Sequence, residues 1–438
     1  MLVNCFKSIV LAVLFISSTL LTGCFDELFA DEEPNSQGFK LPPDFQQAAD
    51  NVPEKVSVDV YWDATYSMQG YTTLAAGNVY RTLPDLLSDI GNSMGELKNF
   101  KFGETIQPLE GREYRNFSSP TPYNEVITAV HNVIDKADKS HLSIIITDLF
   151  ESDADWSNVT QKLRDKYFAQ HQAVAIIGIK NSFNGDIFDV GLNAAKFNYN
   201  SYDYPNKFRP FYMLVIGSEP SVCDFLERFK ERQTLPNDTG YLLLSENLND
   251  TTNDFTKLKV SGMENFFAED KLNISDKHVK ELGIDNFTSQ ASISLTFKYS
   301  PKLGSCPLDM SAMTTKAQVL SLKGEEWQAK EENDVSVELT PVDGEENTYT
   351  AKITLTPEKS LIESEINFIH VTIAPTAKGY KLPDWVKTWN MANVDVDPDS
   401  FDGSKTINLI HVLGSLKDSV YATSHPALLN VNLVVDSH

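Results

Sequence analysis

The stretch "VSVDVYWDATYSMQGY", Val56 to Tyr71, begins as a core strand and ends in a group of oxygen-bearing side chains. Apolar residues alternate along its first half, which is typical of a strand. Asp63, Thr65 and Ser67 then stand at every second position, where the strand should end. A carboxylate and two hydroxyls at that place favour a binding site at the end of a buried strand.

Five apolar runs, separated by helical patterns, follow one another between residues 54 and 249. Short continuous runs of this kind are typical of strands buried on both faces of a sheet. Alternating strands and helices predict an α/β domain with a doubly wound, mostly parallel sheet. The predicted strands are Val56–Trp62, Leu142–Thr147, Ala173–Lys180, Phe211–Gly217 and Gly240–Ser245.

The remainder of the chain has a different pattern. Residues 250–285 are polar and predict a connector with one or two short helices. From residue 286 to residue 438 the apolar residues alternate with a period of two, as in "ASISLTFKYS" and "TYTAKITLTP". This period predicts an antiparallel β-sandwich domain. An immunoglobulin-like arrangement is one option, although no Cys–Trp–Cys pattern supports that name.

The N-terminus predicts an anchored, exported protein. A short apolar run ends in "LTGC", Leu21 to Cys24, which resembles the lipobox of bacterial lipoproteins. The resemblance implies a signal peptide over residues 1–23 and a lipid on Cys24, so that the mature chain is anchored to a bacterial membrane and faces outside the cytoplasm. The acidic, Pro-rich residues 24–53 predict a tether.

Charge and cysteine content exclude several classes of function. The formal net charge of −24 argues against a nucleic-acid partner and against electrostatic docking on anionic lipid. Of the four cysteines, Cys223 and Cys306 remain once Cys5 is removed with the signal peptide and Cys24 is lipidated. They lie in different predicted domains. The sequence is compatible with one disulfide between them or with two free thiols.

Residues 54–249 resemble the von Willebrand factor A-type domain. That family carries an Asp-x-Ser-x-Ser motif after the first strand, a Thr from a later loop, and an Asp after a central strand. The matching residues are Asp63, Thr65 and Ser67 in "DATYS", Thr121 in "SSPTPYNEVITAV", and Asp148 in "LSIIITDLFES". Thr65 replaces the first Ser of the motif. Leu149 stands where the family usually has Gly after the last Asp.

The resemblance implies a metal-ion-dependent adhesion site for Mg²⁺ or Mn²⁺. Thr65, Ser67 and Thr121 would supply hydroxyl oxygens, while Asp63 and Asp148 would balance the charge. A cation with few directly bound carboxylates can accept a carboxylate from a protein partner. The expected function is therefore binding of a protein partner, in adhesion or in assembly of the cell envelope.

Two other functions are open. The first is a structural module with a degenerate metal site, which binds through its β-rich domain. The second is a phosphohydrolase, because the ends of the first two predicted strands are also similar to haloacid-dehalogenase-type phosphatases, with Asp63 as nucleophile and Thr147 as the later Thr. That chemistry needs a second Asp two residues after the nucleophile, where Thr65 stands. The eight His form no HExxH-type pair, so we expect no enzyme.

Overall fold

The computed structural model describes the chain in twelve stretches, and these exclude the predicted signal peptide, Cys24 and most of the tether. Contacts divide the chain into two units: Met1–Gln47 with Asp270–Ser275, and Ala48–Glu269 with Asp276–His438. In the first unit, residues 43–45 form one turn of 3₁₀ helix. The described stretches are 39–45, 55–74, 78–149, 153–188, 196–203, 207–234, 238–246, 254–274, 276–331, 333–392, 402–423 and 426–437.

The described residues from 58 to 244 form nine strands, and seven of them belong to one sheet. Their bounds are β1 (Val58–Asp63), β2 (Leu97–Phe102), β3 (Ile106–Pro108), β4 (Leu142–Thr147), β5 (Gln172–Asn181), β6 (Asn184–Phe188), β7 (Lys196–Asn200), β8 (Arg209–Ser218) and β9 (Thr239–Leu244). The sheet has the order β3-β2-β1-β4-β8-β5-β9, while β6 and β7 form a separate hairpin. Strands β1 and β4 are buried along their whole length, which explains their continuous apolar sequences.

The sheet is mixed, so the α/β class is confirmed but the arrangement differs from a doubly wound parallel sheet. Strand β1 is parallel to both β2 and β4, whereas β8 is antiparallel to both β4 and β5. Four of the seven strands, β1, β2, β4 and β5, consequently run in one direction. Parallel neighbours need a crossover connection, usually a helix, and the chain between β5 and β8 instead forms the β6–β7 hairpin. That connection returns the chain antiparallel to β5.

Helices cover both faces of this sheet. On one face, α1 (Leu83–Met94) and α4 (Glu219–Arg232) pack on the even-numbered side chains of β1 and β4. On the other face, α2 (Val130–Lys136) and α3 (Asp153–Lys166) pack on the odd-numbered side chains of these strands. The apolar residues that recur at helical spacing between the predicted strands are buried. They are Trp156, Val159, Leu163 and Tyr167 in and after α3, and Val222, Leu226 and Phe229 in α4.

The described part of the second half of the chain contains two larger sheets and a two-stranded parallel sheet of β19 and β20. The two larger sheets have the orders β10-β13-β17-β16 and β11-β12-β21-β18-β14-β15, and all their neighbouring strands are antiparallel except β12 and β21. The strands are β10 (Lys259–Glu264), β11 (Phe266–Ala268), β12 (Val279–Ile284), β13 (Ala291–Lys298), β14 (Met313–Lys323), β15 (Glu326–Ala329), β16 (Val335–Pro341), β17 (Thr348–Leu355), β18 (Ile366–Pro375), β19 (Asn390–Met391), β20 (Thr406–Ile407) and β21 (Leu429–Asp436). The helices are α5 (Pro357–Ser360), α6 (Asp384–Thr388) and α7 (Leu409–Thr423).

One apolar cluster joins the two larger sheets. It contains Ile293 and Ile353 from the smaller of the two and Val371 and Leu433 from the larger, all fully buried. Ile353 and Val371 alternate with more exposed residues, which follows the predicted period of two, whereas Leu433 lies between the buried Asn432 and Val434. Residues 250–285, predicted as a polar connector, instead provide β10, β11 and β12. Single apolar residues of this segment, such as Phe266 of β11 and Leu282 of β12, pack into the cluster.

Helices α6 and α7 do not belong to the β-rich core. Their apolar residues pack, together with α2 and α3, on the second face of the first sheet. The contact depends on two glycines, Gly178 and Gly240, which are direct partners across β5 and β9. A methyl group at Gly240 would overlap the indole of Trp385, and one at Gly178 would crowd Trp389. The late segment of the chain is thus part of the α/β layer structure.

The two remaining cysteines are both thiols rather than halves of a disulfide. Cys223 is partly buried on α4 and Cys306 is buried, and no disulfide joins them. Burial raises the pKa of the Cys306 thiol to about 12, so this thiol stays protonated at neutral pH.

The glycine pair gives a test of this packing. Replacing Gly240 with Ala forces a methyl group into the Trp385 indole, and we expect the free energy of unfolding to fall by about 1–3 kcal/mol, as for other overpacked sites. The change is measured by urea unfolding followed by tryptophan fluorescence. Gly262→Ala on β10, where the nearest atom to the new methyl group is 3.9 Å away, is the control and should cost much less. Equal effects would contradict the packing described here.

Candidate metal centre

The candidate site lies at the end of two neighbouring parallel strands. Asp63 is the last residue of β1, and Thr147 is the last residue of β4. The register pairs Trp62 with Ile146, so Asp63 and Thr147 follow at the same level of the sheet. The hydroxyl of Thr147 donates to Oδ2 of Asp63 at 2.9 Å. Sheet register therefore brings these two side chains together across 84 residues of sequence.

The other oxygen of the Asp63 carboxylate organises the turn after β1. Oδ1 accepts hydrogen bonds from the backbone N–H of Thr65 at 2.9 Å and from its hydroxyl at 2.7 Å. This is a local Asp turn, in which the side chain replaces a backbone acceptor. The Thr65 hydroxyl lies 3.1 Å from that of Ser67, in the 3₁₀ helix Tyr66–Thr72. Asp63, Thr65 and Ser67 are all buried, as a close group of oxygens.

A fourth hydroxyl comes from the loop before α2, and it is that of Thr128. Its Oγ1 lies 3.4 Å from Oδ2 of Asp63 and 3.4 Å from Oγ1 of Thr65. These five residues, Asp63, Thr65, Ser67, Thr128 and Thr147, are called the Asp63 cluster below. The cluster contains one carboxylate and four hydroxyls drawn from three separate segments of the chain.

Thr121, predicted as the hydroxyl donor from this loop, is placed differently. Its side chain is exposed, and its hydroxyl contacts that of Ser119 at 3.5 Å. Thr-Pro at 121–122 is typical of a helix start, yet α2 begins only at Val130. Thr128 lies two residues before the helix, next to its N-cap Ala129, and this closeness to the helix start was the signal that the sequence contained.

Asp148 follows Thr147 and is also buried. It lies close enough to Asp63 to raise the pKa of that carboxyl. Its neighbour Leu149 has a φ of 58°, the left-handed conformation that favours glycine. The Leu149 side chain is buried among the apolar residues that α3 packs on the sheet. The backbone N–H of Leu149 donates to the Thr147 hydroxyl at 3.3 Å. Burial of this side chain offsets a conformational cost of about 1–2 kcal/mol, so a glycine-like turn is formed without glycine.

Two neighbouring buried carboxylates, those of Asp63 and Asp148, determine the electrostatic character of the site. Burial, and secondly the charge of Asp148, raise the pKa of Asp63 to about 7, although the hydrogen bonds from Thr65 and Thr147 act in the opposite direction. A bound cation would remove the repulsion between the two carboxylates, which is a property expected of a cation site.

The donor atoms fit a hard cation. Mg²⁺ and Mn²⁺ prefer oxygen ligands, and the Asp63 cluster offers hydroxyl and carboxylate oxygens only. Within the described stretches, no group of three or more His, Cys, Asp or Glu side chains is arranged to hold a metal. A cation at the Asp63 cluster would therefore be held mainly by neutral hydroxyls and would keep much of its positive charge.

Comparisons with known proteins leave the chain without an assigned family. No protein-family model matches the sequence, and no curated protein matches it.

The raised pKa of Asp63 predicts a pH dependence of stability. With divalent cations removed by EDTA, the folded carboxyl keeps its proton to a higher pH than the unfolded one, so the free energy of unfolding should fall as the pH rises from about 4 through about 7. Asp63→Asn should abolish this part of the profile, measured by urea unfolding at a series of pH values. Asp89→Asn, at an exposed carboxylate, serves as control and should leave the profile unchanged. A wild-type profile that rises over this range would contradict the prediction.

Proposed function

We propose that this protein is a membrane-anchored bacterial lipoprotein that binds a protein partner through a divalent cation held at the Asp63 cluster. The observation that carries the proposal is the meeting of oxygens from three segments, namely the turn after β1, the loop before α2 and the end of β4. The formation of a local turn explains only the contact between Asp63 and Thr65. It does not explain why Thr128 and Thr147 converge on the same carboxylate.

The roles of the residues follow from their chemistry. Thr65, Ser67 and Thr128 would offer hydroxyl oxygens to Mg²⁺ or Mn²⁺, with Thr128 in the role expected of Thr121. Asp63 and Asp148 would balance the charge of the ion, as direct ligands or as acceptors for its bound waters. Thr147 would hold the Asp63 carboxylate in its orientation through the 2.9 Å hydrogen bond.

The cation would supply an electrophilic point for a ligand that carries negative charge. A site with few carboxylates leaves the ion able to accept one more from outside, and an exposed Asp or Glu of a partner protein has the required chemistry. Nothing in this arrangement changes a covalent bond in the partner. The function proposed is therefore recognition, in adhesion or in assembly of the envelope.

The location is proposed from the N-terminal sequence. Cys24, the proposed lipid attachment site, lies outside the described residues, as does the signal peptide before it. Among the helices of the described stretches, none has the length and apolar character needed to cross a membrane. The acidic chain, with its net charge of −24, would be repelled by anionic lipid and would be held at the membrane by the lipid on Cys24 alone.

A phosphohydrolase is a second candidate, favoured by the hydrogen bond between Thr147 and Asp63. Two observations argue against it. Asp63 is fully buried, whereas a nucleophile must reach its substrate, and Thr65 occupies the position of the needed acid–base Asp. The raised pKa of Asp63 also disfavours the ionised carboxylate that a nucleophile needs.

The cation site is tested by thermal unfolding with EDTA, Mg²⁺ or Mn²⁺. Binding to the folded state alone should stabilise the protein by about 2.7 kcal/mol when the free cation is about 100-fold above its Kd. Asp63→Ala and Thr128→Ala should abolish the cation-dependent increase in Tm. Thr121→Ala, at an exposed threonine of the same loop, should retain it. The absence of any shift in the wild type would instead favour the structural module with a degenerate site.

The enzyme candidate is tested separately with a generic phosphate ester. We expect no turnover above that of the Asp63→Asn variant, because the buried carboxylate is closed to substrate and the acid–base Asp is absent. Release of inorganic phosphate is the measurement. Turnover in the wild type that is lost in Asp63→Asn would replace the binding function with a hydrolytic one.

A further inference from the structure

Three of the most exposed apolar side chains of the described residues lie within two residues, in sequence, of a member of the Asp63 cluster. Large apolar side chains are ordinarily buried, so exposed ones that group around one site mark a contact surface. Five of the eight that are exposed belong to the segments that follow β1, precede α2 or follow β7. These five are Tyr66 (48%), Leu74 (81%), Val126 (82%), Ile127 (53%) and Tyr202 (51%).

Three of them directly border the cluster. Tyr66 stands between Thr65 and Ser67, and Val126 and Ile127 directly precede Thr128. Backbone hydrogen bonds hold the two segments side by side, from Tyr66 N–H to the Glu125 carbonyl at 3.1 Å and from Glu125 N–H to the Ala64 carbonyl at 3.0 Å. Tyr66, Val126 and Ile127 are called the apolar rim below.

The apolar rim contributes little to folding, because its side chains remain largely in water. Its backbone is nevertheless fixed, since residues 64–66 and 125 pair as in a short parallel ladder. A partner that buries the rim would thus gain apolar contact without first ordering this loop. The same loop carries Thr128 into the Asp63 cluster, so apolar and cation contacts would be made by one continuous surface.

We propose that the partner segment bound here carries an Asp or Glu whose neighbours in sequence are large apolar residues. The proposal rests on the cation function given above, which supplies the carboxylate position. The apolar rim requires that the residues beside this carboxylate be large and apolar. A carboxylate flanked by charged or small polar residues would leave Tyr66, Val126 and Ile127 in water. An acidic and apolar segment would satisfy both parts of the surface.

A phage-displayed library of random peptides, selected on the full chain with Mg²⁺ or with EDTA, tests this proposal. Peptides that depend on Mg²⁺ should carry Asp or Glu next to Leu, Ile, Val or Phe. Their affinity, measured by fluorescence polarisation, should fall about tenfold or more in Val126→Ser/Ile127→Ser, which corresponds to a loss of about 1.4 kcal/mol. Val260→Ser/Met263→Ser changes two exposed apolar residues of β10 and is the matched control, with affinity unchanged.

The outcomes separate this proposal from the cation function. Val126→Ser/Ile127→Ser should keep the cation-dependent rise in Tm while it loses the peptide. Selected peptides without apolar neighbours, peptides that bind this variant as well as the wild type, or the recovery of no Mg²⁺-dependent peptide would each overturn the proposal. A wild-type protein with no cation response would show instead that the proposed function itself has failed.

Discussion

The carboxylate of Asp63 is fully buried at the end of a central strand, and it accepts hydrogen bonds from the backbone N–H of Thr65 and from the hydroxyls of Thr65 and Thr147. A buried charge is costly unless polar groups surround it, so the positions of Thr65, Thr128 and Thr147 are linked to that of Asp63. The turn after β1, the loop before α2 and the end of β4 are consequently held in one arrangement. The cation binding proposed for this edge of the sheet depends on that arrangement.

The surrounding fold explains how such distant residues meet. Parallel pairing of β1 with β4 places both strand ends at one edge, which is where open α/β sheets bind ligands. The left-handed turn at Leu149 lets the chain leave β4 while its backbone still contacts Thr147. Burial at this edge and the charge of Asp148 raise the pKa of Asp63, while the two loops that enclose the carboxylate leave the apolar rim exposed.

Five of the seven strands of the first sheet were predictable from sequence because burial on both faces leaves continuous apolar runs such as Leu142–Thr147, whereas β2 and β3 are partly exposed and were not predicted. The Asp63 turn was predictable because its contacts are local. The direction of β8 was not, since it follows from the β6–β7 hairpin, whose strands have weaker patterns. Thr128 was missed because Thr121-Pro122 has the local chemistry of a helix start, and only tertiary packing delays α2 to Val130.

The tryptophans of α6 and its C-terminal neighbour place the closing layer of the first sheet late in the chain. The indole N–H of Trp385 donates to the Tyr241 carbonyl across 144 residues of sequence. A growing chain therefore leaves the glycine pair of β5 and β9 uncovered until Trp385 and Trp389 have been synthesised. The first sheet is completed only by contacts between residues far apart in sequence, and such contacts slow folding. Folding of the first half of the chain therefore depends on the second half.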